Sequence, residues 1–288
     1  DKYLSLGIGG VRLDVVDEIS DEFVKKIRKK IKSYGDDKVL IGEVWEDATN
    51  KIAYDKRRMY FQGGELDSVM NYPLKDAIIE YVINGDALTL FKTVREQIDN
   101  YPHFALNSLM NILGTHDTPR ILTVLGKRGV LKQTRVEMAD EKLTETELKE
   151  GKQMLKCASL LQFALYGVPC IYYGDEQEMQ GNKDPFNRRC FVENDDKELF
   201  VWYSDLSKLR RSFSCFSAGE TGDLVADKGF FSFSRSDGKT KIYVAINCGI
   251  RPIDLTSDGE VYEVTRNVKL SKIRLNSYDF AVFYKMKR

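Results

Sequence analysis

The sequence has 288 residues, of which 42% are hydrophobic and 31% charged, a composition typical of a globular protein with one or two domains. Lysine plus arginine number 44, as do aspartate plus glutamate, so the formal net charge is zero. The charge therefore gives no reason to expect nucleic acid or an anionic membrane surface as a partner. No run of about eighteen apolar residues occurs, which argues against a membrane-spanning helix.

Five short apolar runs predict β-strands, and helical patterns follow them along the chain. The runs are 10–16, 39–45, 66–73, 109–117 and 169–176. Ser20 is a candidate N-cap of the first helix, and Thr144 with Glu147 forms a capping box for a long helix that stops at Gly167. Strands that alternate with helices indicate parallel βαβ units, which occur in both doubly wound sheets and barrels.

From about residue 218 the pattern changes to short β-like runs. Apolar residues alternate on both sides of the Asp-Gly pair at Asp237, which predicts a β-hairpin. The sequence therefore predicts two parts, an α/β part at 1–217 and a small antiparallel β-sandwich domain at 218–288.

Polar residues close to the carboxyl ends of the five runs favour a barrel over a doubly wound sheet. They are Asp14, Glu43, Asn71, Asp117 and the pair Asp175 and Glu176. In (β/α)8 barrels the reacting groups lie at this end of the strands and come from several strands. Residues 1–217 are therefore predicted to be part of such a barrel.

Three of these carboxylates suit the hydrolysis of glycosidic bonds. If the strands share one sheet, Asp14, Glu43 and Asp117 meet at one rim, and an ionised carboxylate paired with a protonated one is the usual apparatus of glycosidases. A buried carboxylate such as Glu43 needs a partner, and Arg12 is a natural one. Two plainer interpretations remain open, with Asp14 as a helix N-cap and His116 as a core histidine.

Three stretches carry a resemblance to a known family. GVRLDVVDE, IGEVW and NILGTHDTPR, at 10–18, 41–45 and 111–120, resemble in order and spacing the strand-four, strand-five and strand-seven regions of the α-amylase family. The resemblance implies that Asp14 is the nucleophile, Glu43 the general acid/base and Asp117 the transition-state stabiliser. It also implies that Arg12 keeps the nucleophile ionised and that His116 bonds sugar hydroxyls.

Further stretches narrow the resemblance to one branch of that family. LDSVMNYP, GVPCIYYGDE and NKDPFNRRCF look like the neopullulanase, cyclomaltodextrinase and maltogenic amylase branch. This implies that Asp184 and Arg188 contact glucose units and that Trp45 is a stacking platform. The implied activity is retaining hydrolysis of α-1,4, and possibly α-1,6, bonds in maltooligosaccharides, cyclodextrins or pullulan.

The resemblance places the first strand of this sequence at position four of an eight-stranded barrel. We therefore expect a partial barrel of strands four to eight, inactive by itself. Its open edges would pair with the missing N-terminal half of the barrel or with a second copy of the chain. Two other functions stay open, a non-catalytic amylase-like binding or assembly protein and a transglycosylase that uses the same carboxylates.

The sequence predicts no required cofactor. The five cysteines include no C-x-x-C pair and the histidines number two, so no metal-ligand pattern is present, although calcium remains possible in a longer parent enzyme. Free thiols are the simplest interpretation of scattered cysteines and favour a cytoplasmic location. The expected small-molecule partner, implied by the resemblance, is an α-glucan oligosaccharide.

Overall fold

The computed structural model describes residues 1–62, 64–129 and 134–285. The strands of the α/β part are β1 Gly10–Leu13, β2 Val39–Gly42, β3 Ile52–Ala53, β4 Lys56–Arg57, β5 Ser68–Val69, β6 Met110–Asn111 and β7 Val168–Pro169. Its helices are α1 Lys2–Ser5, α2 Asp21–Lys32, α3 Tyr72–Asn84, α4 Ala87–Asn100, α5 His103–Leu106, α6 Ile121–Gly126, α7 Arg135–Asp140, α8 Glu145–Ala164, α9 Glu198–Ser212 and α10 Cys215–Ala218.

Five of these strands form a parallel arc in chain order. β1 pairs with β2 and β2 with β5, β6 pairs with β7, and a parallel bridge between Met70 and Met110 joins the two groups. Strand order in a doubly wound sheet reverses at a switch point, whereas in a barrel it follows the chain. The arc therefore supports the barrel, and all five carboxyl ends lie at one rim.

Helices cover the outside of the arc, and most of α8 is buried. The predicted capping box is present, since Thr144 accepts from the Glu147 N–H and the Glu147 carboxylate accepts from the Thr144 N–H. Glycines let α6 approach α8, because a Cβ on Gly151 would lie 3.2 Å from the Cα of Gly126. No helix in the described ranges is both long and apolar enough to cross a lipid bilayer.

The C-terminal part is antiparallel, as predicted, but its strands form one sheet. They are β8 Glu220–Asp227, β9 Phe230–Ser236, β10 Lys241–Asn247, β11 Ile253–Glu263, β12 Val268–Leu275 and β13 Asp279–Lys285. Their order is β12-β11-β13-β10-β9-β8, and β9 and β10 flank the predicted Asp237 turn.

The expectation of a two-sheet sandwich is wrong for these six strands. β13 pairs with both β10 and β11, so hydrogen bonding runs unbroken from β12 to β8. One face of the sheet packs on the α/β part, where the rings of Phe231 and Tyr81 are 6.1 Å apart. The other face encloses a second apolar cluster around Val261 and Ile273. The boundary predicted after residue 217 falls in the last turn of α10 and stays a prediction.

Asn71, at the end of β5, belongs to the core and not to the rim. Its side chain is buried and hydrogen-bonds Asn111 at 2.9 Å and Gln97 at 2.7 Å, and it accepts from the N–H of Leu74 as the N-cap of α3. One amide thus ties β5, β6, α3 and α4 together.

Replacing Asn71 by alanine is expected to lower the free energy of unfolding by about 2–4 kcal/mol, because the buried amides of Asn111 and Gln97 lose their bonds together with the helix cap on Leu74. Urea denaturation measures this loss. Asn84→Ala in the same helix is the matched control, since Asn84 is exposed and bonds only its neighbour Glu80 among the described contacts. Equal losses in both variants would contradict the role given to Asn71.

Candidate active site

Arg12 joins two carboxylates where β1 and β2 end. Leu13 pairs with Gly42, so Asp14 and Glu43 are the first residues beyond the paired strands. The Arg12 guanidinium lies 2.5 Å from an Asp14 oxygen and 2.9 Å from a Glu43 oxygen. The two acids differ in solvent access, with side-chain exposures of 75% for Asp14 and 5% for Glu43. The site therefore offers one open and one buried carboxylate on a shared cation.

The residue after Asp14 has an unfavourable backbone conformation. Val15 has φ 41° and ψ 56°, in the left-handed region that β-branched residues avoid. In this conformation the Val15 N–H donates to Glu43 at 2.9 Å. Strain of this kind persists where surrounding contacts impose it, and here it supplies a donor to the buried carboxylate.

An aromatic pair lies beside Glu43. The Trp45 indole N–H donates to Glu43 at 3.2 Å, and its ring stacks on Tyr72 at a centroid distance of 4.1 Å. Trp45 remains half-exposed, as a platform for a sugar ring would be. Burial raises the pKa of Tyr72 to about 12, and the negative charges of Glu43 and Asp117 add to the shift. Tyr72 therefore lies within electrostatic reach of both carboxylates.

A second polar group surrounds Asp117. His116 Nε2 is 3.1 Å from one Asp117 oxygen, and Arg188 is 3.3 Å from the other. Arg188 also pairs with Asp184 at 3.1 Å and donates to the His116 carbonyl. The His116 side chain is 44% exposed, so its interpretation as a core histidine is wrong. The structure thus brings the remaining predicted site residues together on two facing loops.

Two residues at the site were not singled out by the sequence analysis, and one of them, Asn187, holds the His116–Thr118 loop. The buried Asn187 side chain donates to the carbonyls of His116 and Thr118 at 2.7 and 2.8 Å. Tyr72, at the first position of α3, was missed as well. Both lie inside motifs that carried the family resemblance, so position within the motif was an available signal for both.

Asp175, at the end of the fifth apolar run, is a buried ion-pair partner and not a rim carboxylate. Its oxygen is 3.3 Å from Arg120, and the Arg120 guanidinium lies over the rings of Tyr172 and Tyr173 at 4.3 and 4.4 Å. Burial raises the pKa of Asp175 to about 7, Arg120 acts against this shift, and Glu176 adds to it. The charge of Asp175 also acts on Tyr203 and Cys170.

One cluster in the described ranges could hold a cation, and a lysine lies against it. Glu178, Asp196 and Glu198 bring three carboxylate oxygens together. The ammonium of Lys152 contacts them at 2.6, 2.6 and 3.3 Å. Burial acts to lower the pKa of Lys152, but these hydrogen bonds outweigh it and raise the pKa above its usual value. The positive charge that this cluster needs is therefore supplied by the chain.

Comparison with known proteins identifies the family to which the chain is similar. A family model described as "Alpha amylase, catalytic domain" matches residues 1–208. The chain is 31% identical over 248 residues to a cyclomaltodextrinase from Bacillus sp, covering 84% of this chain and 39% of that protein. It is 29% identical over 252 residues to neopullulanase 2 from Thermoactinomyces vulgaris, covering 85% and 38%.

Solved structures show the same relationship. A cyclomaltodextrinase structure superposes with a TM-score of 0.75 at 26% identity, covering 97% of this chain and 46% of that one. The chain spans 39% of the length of the Bacillus cyclomaltodextrinase and 38% of the length of neopullulanase 2.

Asp175 is expected to make stability depend on pH. Its pKa rises from an ordinary value of 3.8 to about 7 on folding. Between these values the folded state binds more protons than the unfolded state, so the free energy of unfolding falls as pH rises, by up to about 4 kcal/mol. Asp175→Asn removes this contribution. From about pH 4.5 to about pH 7.5, the free energy of unfolding measured with urea should fall more in wild type than in the variant.

The control for this experiment is Asp205→Asn, an exposed substitution on α9. Its stability should follow wild type at both pH values. If the free energy of unfolding of Asp175→Asn changes with pH as much as that of wild type, Asp175 does not titrate between the two pH values.

Proposed function

The chain belongs to the α-amylase family, and from this we propose that it carries the catalytic rim of a retaining glycosidase that cleaves α-1,4-glucosidic bonds of maltooligosaccharides or cyclodextrins. The names of the relatives, cyclomaltodextrinase and neopullulanase, support an α-glucan as the substrate. Pullulan, with its α-1,6 bonds, is the next substrate to test.

The contact of one guanidinium with both carboxylates is the observation that carries the proposal. Arg12 reaches Asp14 at 2.5 Å and Glu43 at 2.9 Å, so both acids face one guanidinium. Retaining glycosidases hold their carboxyl groups about 5–5.5 Å apart, whereas inverting ones leave room for water at about 6.5–9.5 Å. The shared cation favours the closer spacing and therefore retention.

The different environments of the two acids support different roles. Asp14, whose side chain is exposed, attacks the anomeric carbon, and the bond to the leaving oxygen breaks as Glu43 gives that oxygen a proton. Glu43 then takes a proton from water, whose oxygen displaces Asp14 and releases the sugar.

The second polar group is proposed to bind the sugar being cleaved. Asp117 and His116 present an acceptor and a ring nitrogen 3.1 Å apart, suited to neighbouring hydroxyl groups. Asp184 and Arg188 extend this surface along the facing loop. Trp45 would stack on the sugar across the scissile bond, because apolar sugar faces pack on aromatic rings.

We further propose that other strands complete the barrel. The middle of the arc is buried, with Leu40 and Val69 at 0% and 1% exposure. At its two ends, all four residues of β1 are partly exposed and Val168 of β7 is 50% exposed. Edge strands with apolar side chains in water pair readily with further strands. An N-terminal barrel half, or a second copy of the chain, would supply them.

Asp14→Asn and Glu43→Gln are each expected to lower kcat of the assembled enzyme by several orders of magnitude, because an amide is neither a nucleophile nor a proton donor in these roles. Steady-state kinetics on maltotriose and cyclodextrin measures the loss, and circular dichroism checks the fold. The matched controls are Asp36→Asn and Glu22→Gln, both on exposed residues.

Retention of more than about a tenth of the rate by either site variant would remove its assigned role. The anomer first formed by the wild-type enzyme, read by NMR, tests the mechanism independently. An inverted product would exclude Asp14 as the nucleophile even if both variants are inactive.

The 288-residue chain alone is expected to show little or no turnover of cyclodextrin or a nitrophenyl maltoside, because an open cleft neither orients the sugar nor excludes water. Light scattering should give a mass above the 33.1 kDa of one chain, as exposed edges associate. A stable monomer that turns over both substrates at rates typical of glycosidases would contradict the need for further strands.

A further inference from the structure

The segment that follows Trp45 folds back over the turn that follows Asp14. This segment, 47–62, includes the short β3–β4 hairpin, and the turn comprises residues 15–19 with a 3-10 helix at Val16–Glu18. Arg58 is the buried residue at their junction, with 5% of its surface exposed. A charged side chain is buried at this level only when its donors are used.

Arg58 donates hydrogen bonds to the backbone of the turn. Its guanidinium donates to the carbonyls of Asp17 at 2.8 Å, Ile19 at 2.7 Å and Val16 at 3.4 Å. It also pairs with Asp21 at 2.9 Å, beside the ring of Tyr60. The planar fork of arginine can reach several carbonyls at once, which the single ammonium of lysine cannot.

The turn held in this way contains the strained residue of the site. Val15 begins it, and the Glu18 N–H donates to the Val15 carbonyl at 3.0 Å. Because the left-handed conformation of Val15 is unfavourable, the contacts downstream must hold it in place. The benefit is the Val15 N–H on Glu43, and Glu43 in turn accepts from Trp45.

We propose that Arg58 is a positioning residue for the candidate acid/base. By fixing the turn after Asp14, it keeps the Val15 N–H on Glu43 without touching either carboxylate. The effect on catalysis rests on the function proposed above, whereas the effect on the Glu43 environment can be measured without turnover.

Arg58 could instead serve only to anchor its own segment. Other residues of that segment already do so, since the Tyr60 hydroxyl donates to the Asp17 carboxylate and Lys51 pairs with Asp17 at 3.2 Å. These contacts reach a side chain of the turn, whereas Arg58 donates to its carbonyls. Substitutions of Tyr60 and Arg58 therefore separate the two roles.

The indole N–H of Trp45 reports on the Glu43 environment. The chain has two tryptophans, and the second, Trp202, donates its indole N–H to Ser159 at 2.8 Å on the outer helices. Proton–nitrogen NMR of the 288-residue chain should therefore give two indole signals, one a reporter and the other an internal reference. Glu43→Ala assigns the reporter and marks its position once the acceptor is lost.

Arg58→Met, which keeps the length of the stem and removes every donor, is expected to shift the Trp45 signal toward its position in Glu43→Ala while the Trp202 signal stays in place. Tyr60→Phe and Arg57→Met should leave both signals unmoved, since Arg57 is the exposed neighbour of Arg58. If Arg58→Met does not fold, Arg58→Lys takes its place, with a smaller shift in the same direction.

A folded Arg58 variant with the Trp45 signal of wild type would overturn the proposal, as would an equal shift in Tyr60→Phe. In the assembled enzyme, a positioning role predicts a roughly tenfold lower kcat with KM little changed. An indole shift without a loss of kcat would support the proposal that Arg58 positions Glu43. It would count against the proposed catalytic role of Glu43.

Discussion

The shared contact of Arg12 with Asp14 and Glu43 is the interaction around which the rim is organised. Two carboxylates this close repel each other, and the cation between them offsets that repulsion in a partly buried site. The contact requires β1 and β2 to be parallel and in the observed register, so that both acids follow the last strand pair directly. A slip of one residue would turn one carboxylate to the other face of the sheet.

The second half of the rim depends on loops and not on strand register. Asp117 and Asp184 come from loops that follow short strands, and Arg188 pairs with both of them. Tyr72 stacks on Trp45 beside Glu43, and the charges of both Glu43 and Asp117 raise its pKa. The strands thus position Asp14 and Glu43, while contacts between loops position Asp117 and Asp184.

The sequence predicted the parallel strands and the rim, because period, turn chemistry and strand-end polarity are local signals. The roles of Trp45, Asp184 and Arg188 came instead from the family resemblance and stay predictions. It did not predict that Asn71 turns into the core, since a strand-end amide has the same pattern whether it binds substrate or caps a helix. It also predicted two sheets where one forms, because alternation of apolar residues shows that strands have two faces but not how their edges connect. Pairing of distant strands is the information that local patterns lack.

The buried arginines escaped prediction for a related reason, since an arginine in sequence is most often a surface residue. Arg58 and Arg120 are both buried, and both donate to backbone carbonyls of segments adjoining the rim, Arg58 to Asp17 and Arg120 to Tyr173. Where a parallel strand ends, its chain leaves the hydrogen-bonded ladder, and buried carbonyls beyond that point need other donors. Arginine supplies several from one position. The two arginines therefore fix the segments through which the chain leaves the strands that bring the carboxylates together.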